Sequence, residues 1–409
     1  MGITVMKFGG TSVATADLVR RAAGRAIRAK EDGHDVVAVV SARGKTTDEL
    51  IALAREITDR PDPREMDQLV STGEQISIAL MAMAIHAMGY GAISFTGGQV
   101  GLVTDSLHAK ARIQSVDADR IRSEFAKGNI VIVAGFQGVD ANRNVTTLGR
   151  GGSDTTAVAL AAVIGADVCE IYTDVAGVFT ADPRLVGSAR KMDEIAYDEM
   201  LELASLGAGV MHSRAVEFGK KYRIPIHVRS SLTDEPGTMI VEEVSRMEKV
   251  TVRGAALTKD LAKVTIRSVP DRPGVAARIF HAIASANVAV DDIIQNVSRD
   301  GTTDVSFTVA AGDLPATLTE AEALVRDLGA QAVLTDAQVA KVSVVGIGMR
   351  SQTGVAEAMF KALAEAKINI QMITTSEIKI SCIIDSDHGE QALRVMHDAF
   401  DLGEEPDAL

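Results

Sequence analysis

The chain has 409 residues, of which 46% are hydrophobic and 24% charged, and its formal net charge is −13. This length and composition predict two or three domains of ordinary size in a globular protein. The negative charge argues against a nucleic acid or an anionic membrane as a partner, because both require a positive protein surface.

The N-terminus does not have the basic segment and apolar stretch of a secretion signal, and the longest apolar runs are too short to span a bilayer. We therefore expect a cytoplasmic protein without a membrane segment. Cys169 and Cys382 lie far apart in sequence, each within an apolar run. This placement predicts buried, inert thiols rather than a disulfide or a metal site.

The first predicted strand, Ile3–Met6, leads directly into a turn that is suited to binding phosphate. The turn reads Lys7-Phe8-Gly9-Gly10-Thr11-Ser12-Val13 and precedes a helical pattern from Val13 to Lys30. Two glycines allow backbone N–H groups to approach an anion, and the lysine adds a positive charge beside them. A simple strand-to-helix turn would explain the glycines alone, whereas the lysine and hydroxyls favour a phosphate site.

Strands and helices alternate through the first 230 residues. This alternation predicts an α/β fold with a mostly parallel sheet. Ligands of such sheets lie beyond the carboxyl ends of the strands, so the loops after Met6, Val40, Ala134 and Thr173 are candidates. The other predicted strands are Val36–Val40, Ala92–Phe95, Ile130–Ala134, Val168–Thr173 and Ile224–Val228, and the clearest helical stretches between them are Asp48–Thr58 and Arg64–Met88.

Several polar groups in these loops have both a structural and a functional interpretation. Arg150 is framed by glycines and can make a bidentate bond to a carboxylate or phosphate, while Ser153 or Asp154 could cap the helix that follows. Glu74 is either an exposed helix residue or part of a site. The segment Thr173–Arg184 is either a nucleoside pocket or an ordinary loop rich in turns.

A change in sequence character near residues 230–250 indicates a domain boundary, and an internal repeat follows it. The segment Pro273–Phe280 returns as Thr353–Phe360 at an offset of 80 residues. Each copy predicts the order strand, helix headed by glycine, strand, strand, helix, and two such small units should pack together. A cleft between them could bind a ligand or could result from duplication alone.

The motifs Lys7–Val13, Gly149–Asp154 and Thr173–Arg184, in this order, resemble the aspartate kinase family of the amino-acid kinase superfamily. The repeated unit is similar to tandem ACT domains. The resemblance implies an amino-acid kinase fold, with a mostly parallel central sheet and helices on both faces, followed by two βαββαβ (ferredoxin-like) ACT domains. The expected domains are residues 1–245, 250–336 and 337–402, with an acidic tail at 403–409.

The resemblance also implies ATP-dependent phosphorylation of the side-chain carboxylate of L-aspartate, with Mg²⁺ accompanying ATP, as a first step towards lysine, threonine and methionine. Lys7 and Asp154 would be catalytic, although Asp154 could instead position the substrate amine. The implied ATP-binding residues are Lys7, Phe8, Gly9, Gly10, Ser12, Ser41, Thr173, Asp174, Phe179, Asp182 and Arg184. The implied substrate-binding residues are Thr47, Glu74, Arg150, Gly151, Gly152, Ser153 and Asp154.

By the same resemblance, the ACT domains would bind lysine, threonine or both as feedback inhibitors. The implied effector-binding residues are Asp271, Gly274, Val275, Ala276, Gln295 and Asn296 in the first copy and Asn369, Ile370, Ser376 and Glu377 in the second. The second copy has Arg350-Ser351 where the first has Asp271, so the two clefts should differ. We expect a homo-oligomer, or an α2β2 assembly whose short subunit starts at Met247.

Two other function classes are compatible with parts of the sequence. One is a sister kinase acting on acetylglutamate, glutamate or a nucleoside monophosphate, against which the tandem ACT segment, Glu74 and the Arg150 loop count. The other is a non-catalytic amino-acid sensor, which the presence of Lys7, Arg150 and Asp154 disfavours. No fused homoserine dehydrogenase is expected before Leu409.

Overall fold

The computed structural model describes residues 2–207, 210–244, 251–296, 301–350 and 352–404. Its contacts divide the chain into two compact units. The first comprises Met1–Phe179, Lys191–Ser205 and Gly209–Met247, and the second comprises Thr180–Arg190, Leu206–Ala208 and Glu248–Leu409. Some predictions fall outside the described residues. They concern the predicted start at Met247, Ser351 and the side chain of Arg350, and the end of the predicted acidic tail. The predicted domain limits remain predictions.

The first unit contains a large sheet and a small one. Its strands are β1 (Ile3–Phe8), β2 (Asp35–Val40), β3 (Ala92–Phe95), β4 (Val103–Thr104), β5 (Ile113–Ser115), β6 (Ile130–Ala134), β7 (Gln137–Val139), β8 (Val145–Thr147), β9 (Val168–Thr173), β10 (Glu194–Ala196), β11 (Ile226–Ser230) and β12 (Thr238–Val241). The large sheet has the order β10-β12-β11-β9-β1-β2-β6-β3, and the small one has the order β5-β4-β7-β8. All pairs of the large sheet are parallel except β11 with β12.

Eight helices accompany these strands in the described part of the first unit. They are α1 (Ala16–Glu31), α2 (Thr46–Ile57), α3 (Pro63–Val70), α4 (Thr72–Ala87), α5 (Asp119–Phe125), α6 (Gly152–Ile164), α7 (Tyr197–Ser205) and α8 (Ser213–Tyr222). Residues of α1 and α4 pack with β1, β2 and β6 in one hydrophobic cluster. The central strands are buried along nearly their whole length, which explains why they appear in the sequence as continuous apolar runs.

The predicted α/β architecture is confirmed, with local differences in the positions of elements. Helix α6 begins at Gly152, and its N-cap is Gly151 in the left-handed conformation, without a side-chain cap. Neither Ser153 nor Asp154 therefore caps this helix. The single helix predicted over residues 64–88 is two helices, α3 and α4, which meet at Ser71.

By length and composition alone, the stretch Pro63–Ala87 could cross a membrane. This differs from the expectation that every apolar run in the sequence is too short to span a bilayer. Half of its most apolar window is buried inside the protein. Ile78, Met81 and Ile85 of α4 belong to the core cluster beneath the sheet. In this fold the stretch serves as a core helix pair.

The second unit is built on one six-stranded sheet with the order β14-β15-β13-β16-β18-β17. Both repeats follow the predicted order of strand, helix, strand, strand, helix, which confirms the duplication. The strands are β13 (Gly254–Pro270), β14 (Val290–Gln295), β15 (Thr302–Ala310), β16 (Ala332–Val345), β17 (Ile370–Thr375) and β18 (Lys379–Asp385). The helices are α9 (Val275–Ser285), α10 (Leu314–Leu328), α11 (Val355–Glu365) and α12 (Gly389–Ala399).

The two repeats share their long strands. The second half of β13 pairs with β15, and the second half of β16 pairs with β18. The first half of β13, residues 254–258, pairs with residues 341–345 of β16, whereas residues 263–267 pair with residues 332–336. The sheet of the first repeat therefore consists of β14, β15, the second half of β13 and the first half of β16. The sheet of the second repeat consists of β17, β18, the second half of β16 and the first half of β13.

Candidate active site

The candidate site lies at the edge of the large sheet where parallel strands β1, β2, β6 and β9 end together. Phe8 is in register with both Val40 and Tyr172, and Val40 is in register with Ala134. The loops after these residues therefore meet at one edge, as predicted. The N–H of Gly44 donates to the carbonyl of Gly10 at 2.9 Å, and this bond ties the first two loops together.

Gly10 is needed for this close approach. A Cβ at this position would lie 2.7 Å from the carbonyl oxygen of Ala42 and 3.2 Å from that of Gly44. Any larger residue would push the β1 and β2 loops apart. The glycine predicted to approach a ligand thus also allows two loops of the site to touch.

Lys7 and Asp154 form an ion pair within the site. Lys7 Nζ lies 2.6 Å from Asp154 Oδ1, and the two side chains are 12% and 11% exposed. Asp154 lies in the first turn of α6, which brings it to the end of β1. The site therefore contains a nearly buried ammonium group whose position is set by a carboxylate.

Glu74 is a buried carboxylate with one unused oxygen. It lies in the first turn of α4 and is only 3% exposed. Its Oε1 accepts a hydrogen bond from the N–H of Ala42 at 3.1 Å, whereas Oε2 has no hydrogen-bond partner among the described residues. Burial raises the pKa of Glu74 from 4.5 to about 7. Such a group is suited to binding a cation.

The loop between β8 and α6 presents Arg150 to solvent while its neighbours are held in place. Gly149 and Gly151 have φ angles of +79° and +66°, which favour glycine. A Cβ at Gly151 would lie 2.1 Å from Cβ of His212, so no larger residue fits there. Arg150 itself is exposed and makes no ion pair or hydrogen bond within the described part of the chain. His212 was not anticipated, because nothing in its local sequence marks it.

The remaining residues predicted to bind the substrate lie at the starts of two helices. Thr47 is half-buried in the first turn of α2, and Gly152 and Ser153 open α6. A Cβ at Gly135, which follows β6, would lie 2.6 Å from Oγ of Ser153. The close packing at Gly135 places the start of α6 at the sheet edge.

Some residues predicted to bind nucleotide have other roles in the structure. Phe8 is fully buried and stacks on Tyr172 with ring centroids 4.9 Å apart, so its side chain belongs to the core. The N–H of Gly9 donates to the carbonyl of Tyr172, and Ser12 donates from its N–H to Gly9 and from its hydroxyl to Tyr172. These donors are already used within the turn because the turn itself must be held against β9.

The predicted nucleotide residues after β2 and β9 divide between the two units. Ser41, Thr173, Asp174 and Phe179 belong to the first unit, and Thr173 donates its hydroxyl to Asp174 at 3.1 Å. Asp182 and Arg184 belong to the second unit. Arg184 donates two hydrogen bonds to Asp182 from Nε and one from a terminal nitrogen, and these bonds lower the pKa of Asp182.

The second unit contains a cavity of about 340 Å³ beside the loop that precedes α9. Five predicted effector residues line it, namely Asp271, Gly274, Val275, Ala276 and Gln295. Arg272 and Thr303 line it as well and were not predicted from the sequence. Asn296 follows Gln295 and accepts a hydrogen bond at its carbonyl from Thr303. The predicted second-copy residues Asn369, Ile370, Ser376 and Glu377 do not line this cavity, because they lie at the ends of β17, on the far side of the sheet order from β14.

The predicted state of both cysteines is confirmed, since Cys169 and Cys382 are buried free thiols. Within the described ranges, no group of three or more His, Cys, Asp or Glu side chains could hold a metal ion.

Comparison with known proteins gives consistent matches along the chain. Residues 2–230 match the model of the amino acid kinase family, and residues 264–326 and 342–400 match models of the ACT domain. Among similar proteins, the aspartokinase of Geobacillus stearothermophilus is 52% identical over 409 residues, covering 100% of both chains. Aspartokinase 2 of Bacillus subtilis is 50% identical over 409 residues, again covering 100% of both.

Solved structures also match over nearly the full length. The structure of E. coli aspartokinase III in complex with aspartate and ADP has a TM-score of 0.83 and 27% identity, covering 97% of this chain and 99% of that one. The same protein in complex with lysine and aspartate has a TM-score of 0.75 at the same identity and coverage.

Proposed function

Because the chain belongs to the amino acid kinase family, as an aspartokinase with two ACT domains, we propose that it transfers the γ-phosphoryl group of ATP to the side-chain carboxylate of L-aspartate. The product would be 4-phospho-L-aspartate. The observation that carries this proposal is the buried Glu74, whose Oε2 has no partner among the described residues. Its Oε1 binds the N–H of Ala42 in the β2 loop, which packs against Gly10 in the loop that follows Lys7.

Glu74 and Arg150 together fit the two charged groups of the aspartate backbone. The free oxygen of Glu74 accepts the α-ammonium group, and the exposed guanidinium of Arg150 binds the α-carboxylate as a fork. Thr47, Gly151, Gly152 and Ser153 complete the pocket. Holding both backbone charges leaves the side-chain carboxylate as the group that can turn towards the phosphate.

The chemistry requires positioning and neutralisation of charge rather than a strong base. A side-chain carboxylate with an ordinary pKa of ~3.9 is already ionised at neutral pH and is the nucleophile. Lys7 neutralises negative charge that develops on the transferring phosphoryl group. Asp154, at 2.6 Å from Lys7 Nζ, orients that ammonium group. We therefore favour this role for Asp154 over a direct contact with the substrate amine.

MgATP is the proposed phosphoryl donor, with Mg²⁺ neutralising charge on the phosphates. Gly10 in the turn after β1, Ser41 after β2, and Thr173 and Asp174 after β9 approach it from the same sheet edge. Phe179, Asp182 and Arg184 are further proposed contacts. The solved relative that binds ADP and aspartate supports a nucleotide in this family of sites.

We propose that lysine, threonine or both inhibit the enzyme by binding in the second-unit cavity. Asp271 lines this cavity beside the backbone of Gly274 and offers a carboxylate for the ammonium group of an amino acid, and Arg272 offers a cation for its carboxylate. A solved relative in complex with lysine supports an amino-acid effector. We further propose that the reaction is the first step towards lysine, threonine and methionine and that the enzyme is a cytoplasmic oligomer.

An aspartate hydroxamate assay tests the reaction and its regulation together. With MgATP, aspartate should give product, whereas acetylglutamate, glutamate and nucleoside monophosphates measured for ADP release should not. Turnover of one of those substrates in preference to aspartate would overturn the proposal, as would no turnover of any substrate. Repeating the assay without effector and with lysine, threonine or their mixture tests the effector site. Rates equal to the effector-free rate in all three additions would refute inhibition by these amino acids.

A further inference from the structure

Two charged residues outside the substrate pocket, one buried and one partly buried, hold the segment that precedes Arg150. Asp67 lies on α3 and is 1% exposed, and Arg214 lies on α8. Both bind the same two stretches of chain, residues 108–111 and residues 147–148. We propose that Asp67 and Arg214 form a brace that positions Arg150 for aspartate, an inference that rests on the proposed function of Arg150.

Asp67 uses both of its oxygens to hold the two stretches. The N–H of Ala109 donates to both oxygens at 3.1 Å, and the ring nitrogen Nδ1 of His108 lies 2.7 Å from Oδ2. From the other stretch, Thr147 donates its N–H to Oδ2 at 3.1 Å and its hydroxyl to Oδ1 at 2.5 Å. A carboxylate that collects several donors in a buried place fixes all of them relative to one another.

Arg214 binds the same two stretches through their carbonyl oxygens. Its two terminal nitrogens donate to Leu148 and Ala111, each at 3.0 Å. The stretches are also bonded directly, since the N–H of Ala111 donates to the carbonyl of Thr147 at 2.9 Å. Arg214 and Asp67 thus anchor residues 147 and 148, immediately before Gly149 and Arg150.

The chain after Arg150 is fixed as well. Gly151 packs against His212 and caps α6, and a Cβ at Gly149 would lie 3.0 Å from the carbonyl of Ala109. The backbone of Arg150 is therefore held on both sides, although its side chain is exposed and has no protein partner in the described chain. Because the backbone is already fixed, Arg150 loses less conformational freedom when it binds the substrate. Its placement also matters, since a binding group misplaced by about 1 Å can lower the rate ~10²-fold.

The test compares kinetic constants of Asp67→Asn in two backgrounds. An amide in this position replaces one acceptor with donors facing other N–H groups, so the anchor is lost. We expect the KM for aspartate to rise by about tenfold or more, in line with the cost of misplacing a binding group, and the KM for ATP to change little. In an Arg150→Ala background, adding Asp67→Asn should leave the KM for aspartate close to that of Arg150→Ala alone, because the effect of Asp67 passes through Arg150.

Thr147 supplies a milder matched pair in case Asp67→Asn does not fold. Thr147→Val keeps the shape and removes the hydroxyl donor to Asp67, whereas Thr147→Ser keeps the hydroxyl. We expect a higher KM for aspartate only in the valine variant. Glu124→Gln is the control for a buried carboxylate elsewhere. Glu124 lies on α5, is 6% exposed, and accepts hydrogen bonds from Lys127 and Asn129 in the turn after this helix.

The outcomes separate the brace from the proposed substrate clamp. An unchanged KM for aspartate in Arg150→Ala alone would refute the clamp, and the brace would fall with it. If Arg150→Ala raises this KM but neither Asp67→Asn nor Thr147→Val does, the brace alone is refuted. Equal losses with and without Arg150, or equal rises in KM for ATP and aspartate, would show a general structural role and would also overturn it.

Discussion

The titration of Glu74 gives a quantitative prediction for the pH dependence of aspartate binding. Burial raises the pKa of Glu74 from 4.5 to about 7 in the ligand-free protein. At ~1.4 kcal/mol per pKa unit, ionising this buried group costs roughly 3 kcal/mol more than in water. Binding of the aspartate ammonium group requires the ionised form. Aspartate affinity should therefore increase as the pH rises through 7.

The size of the effect follows from the ionised fraction. With a pKa of about 7, roughly one-tenth of the ligand-free protein is ionised at Glu74 at pH 6 and roughly nine-tenths at pH 8. We expect the KM for aspartate to fall about tenfold between these pH values at saturating MgATP. Glu74→Gln should raise this KM at pH 8 by roughly 10- to 100-fold, the cost of one charged hydrogen bond. It should also remove most of the pH dependence.

The assay is initial-rate hydroxamate formation from pH 6 to 8.5, with the KM for ATP measured in parallel as the control. A KM for aspartate that is constant across this range in the wild-type protein would contradict the reasoning. So would a Glu74→Gln variant that keeps the wild-type pH profile, because another group would then be responsible.

The same shift predicts an opposite effect on stability. The pKa of Glu74 is raised in the folded state, so its contribution to stability is fully present below about 4.5 and is lost as the pH rises through about 7. At pH 8 the ligand-free Glu74→Gln protein should therefore be more stable than the wild type, by up to roughly 3 kcal/mol. Urea unfolding at pH 5 and pH 8 measures this difference, which should shrink to less than roughly 1 kcal/mol at the lower pH.

Three further substitutions test separate parts of the molecule. Lys7→Ala should lower kcat by about 10² to 10³ in a protein that still folds, and near-normal turnover would refute its role at the phosphoryl group. Asp271→Asn should raise the effector concentration needed for half-inhibition by about tenfold, and an unchanged inhibition curve would exclude this carboxylate from the site. Thr180→Val should destabilise the second unit by about 1 to 3 kcal/mol, because it leaves the buried Nε2 of His397 without its 3.0 Å partner; urea unfolding checks it, and wild-type stability would contradict it.

Patterns that depend on burial were predictable from the sequence, whereas contacts made by the folded chain were not. The strands at residues 92–95, 130–134 and 168–173 were located correctly, because each is a short, mostly apolar run between polar turns, and the last two are largely buried. The small sheet escaped prediction, since its strands have only two or three residues. Strands this short have almost no pattern of their own.

The candidate site shows the same division. Lys7, Glu74 and Asp154 could be named from motifs, but the ion pair of Lys7 with Asp154 and the unused oxygen of Glu74 depend on three-dimensional packing. The prediction for Phe8 did not anticipate that its side chain lies in the core, because a residue within a phosphate-binding motif can direct its side chain inward while its neighbours line the site. Strand alternation places Phe8 on the opposite side of β1 from Lys7, and this could have been applied to the motif.

The shared strands of the second unit imply that its two repeats unfold together. Since β13 and β16 each supply half a strand to both repeats, loosening one repeat removes the edge partner of the other. Ile266→Ala in the buried core of the first repeat should destabilise it by ~2 to 5 kcal/mol. Amide hydrogen exchange should then accelerate in β18 of the second repeat as well as in β15. Leu334→Ala at a position that is 52% exposed is the control. Faster exchange confined to β15 and its neighbours would show that the repeats are independent, and in that case an effector bound beside Asp271 could not act on the second repeat through their common sheet.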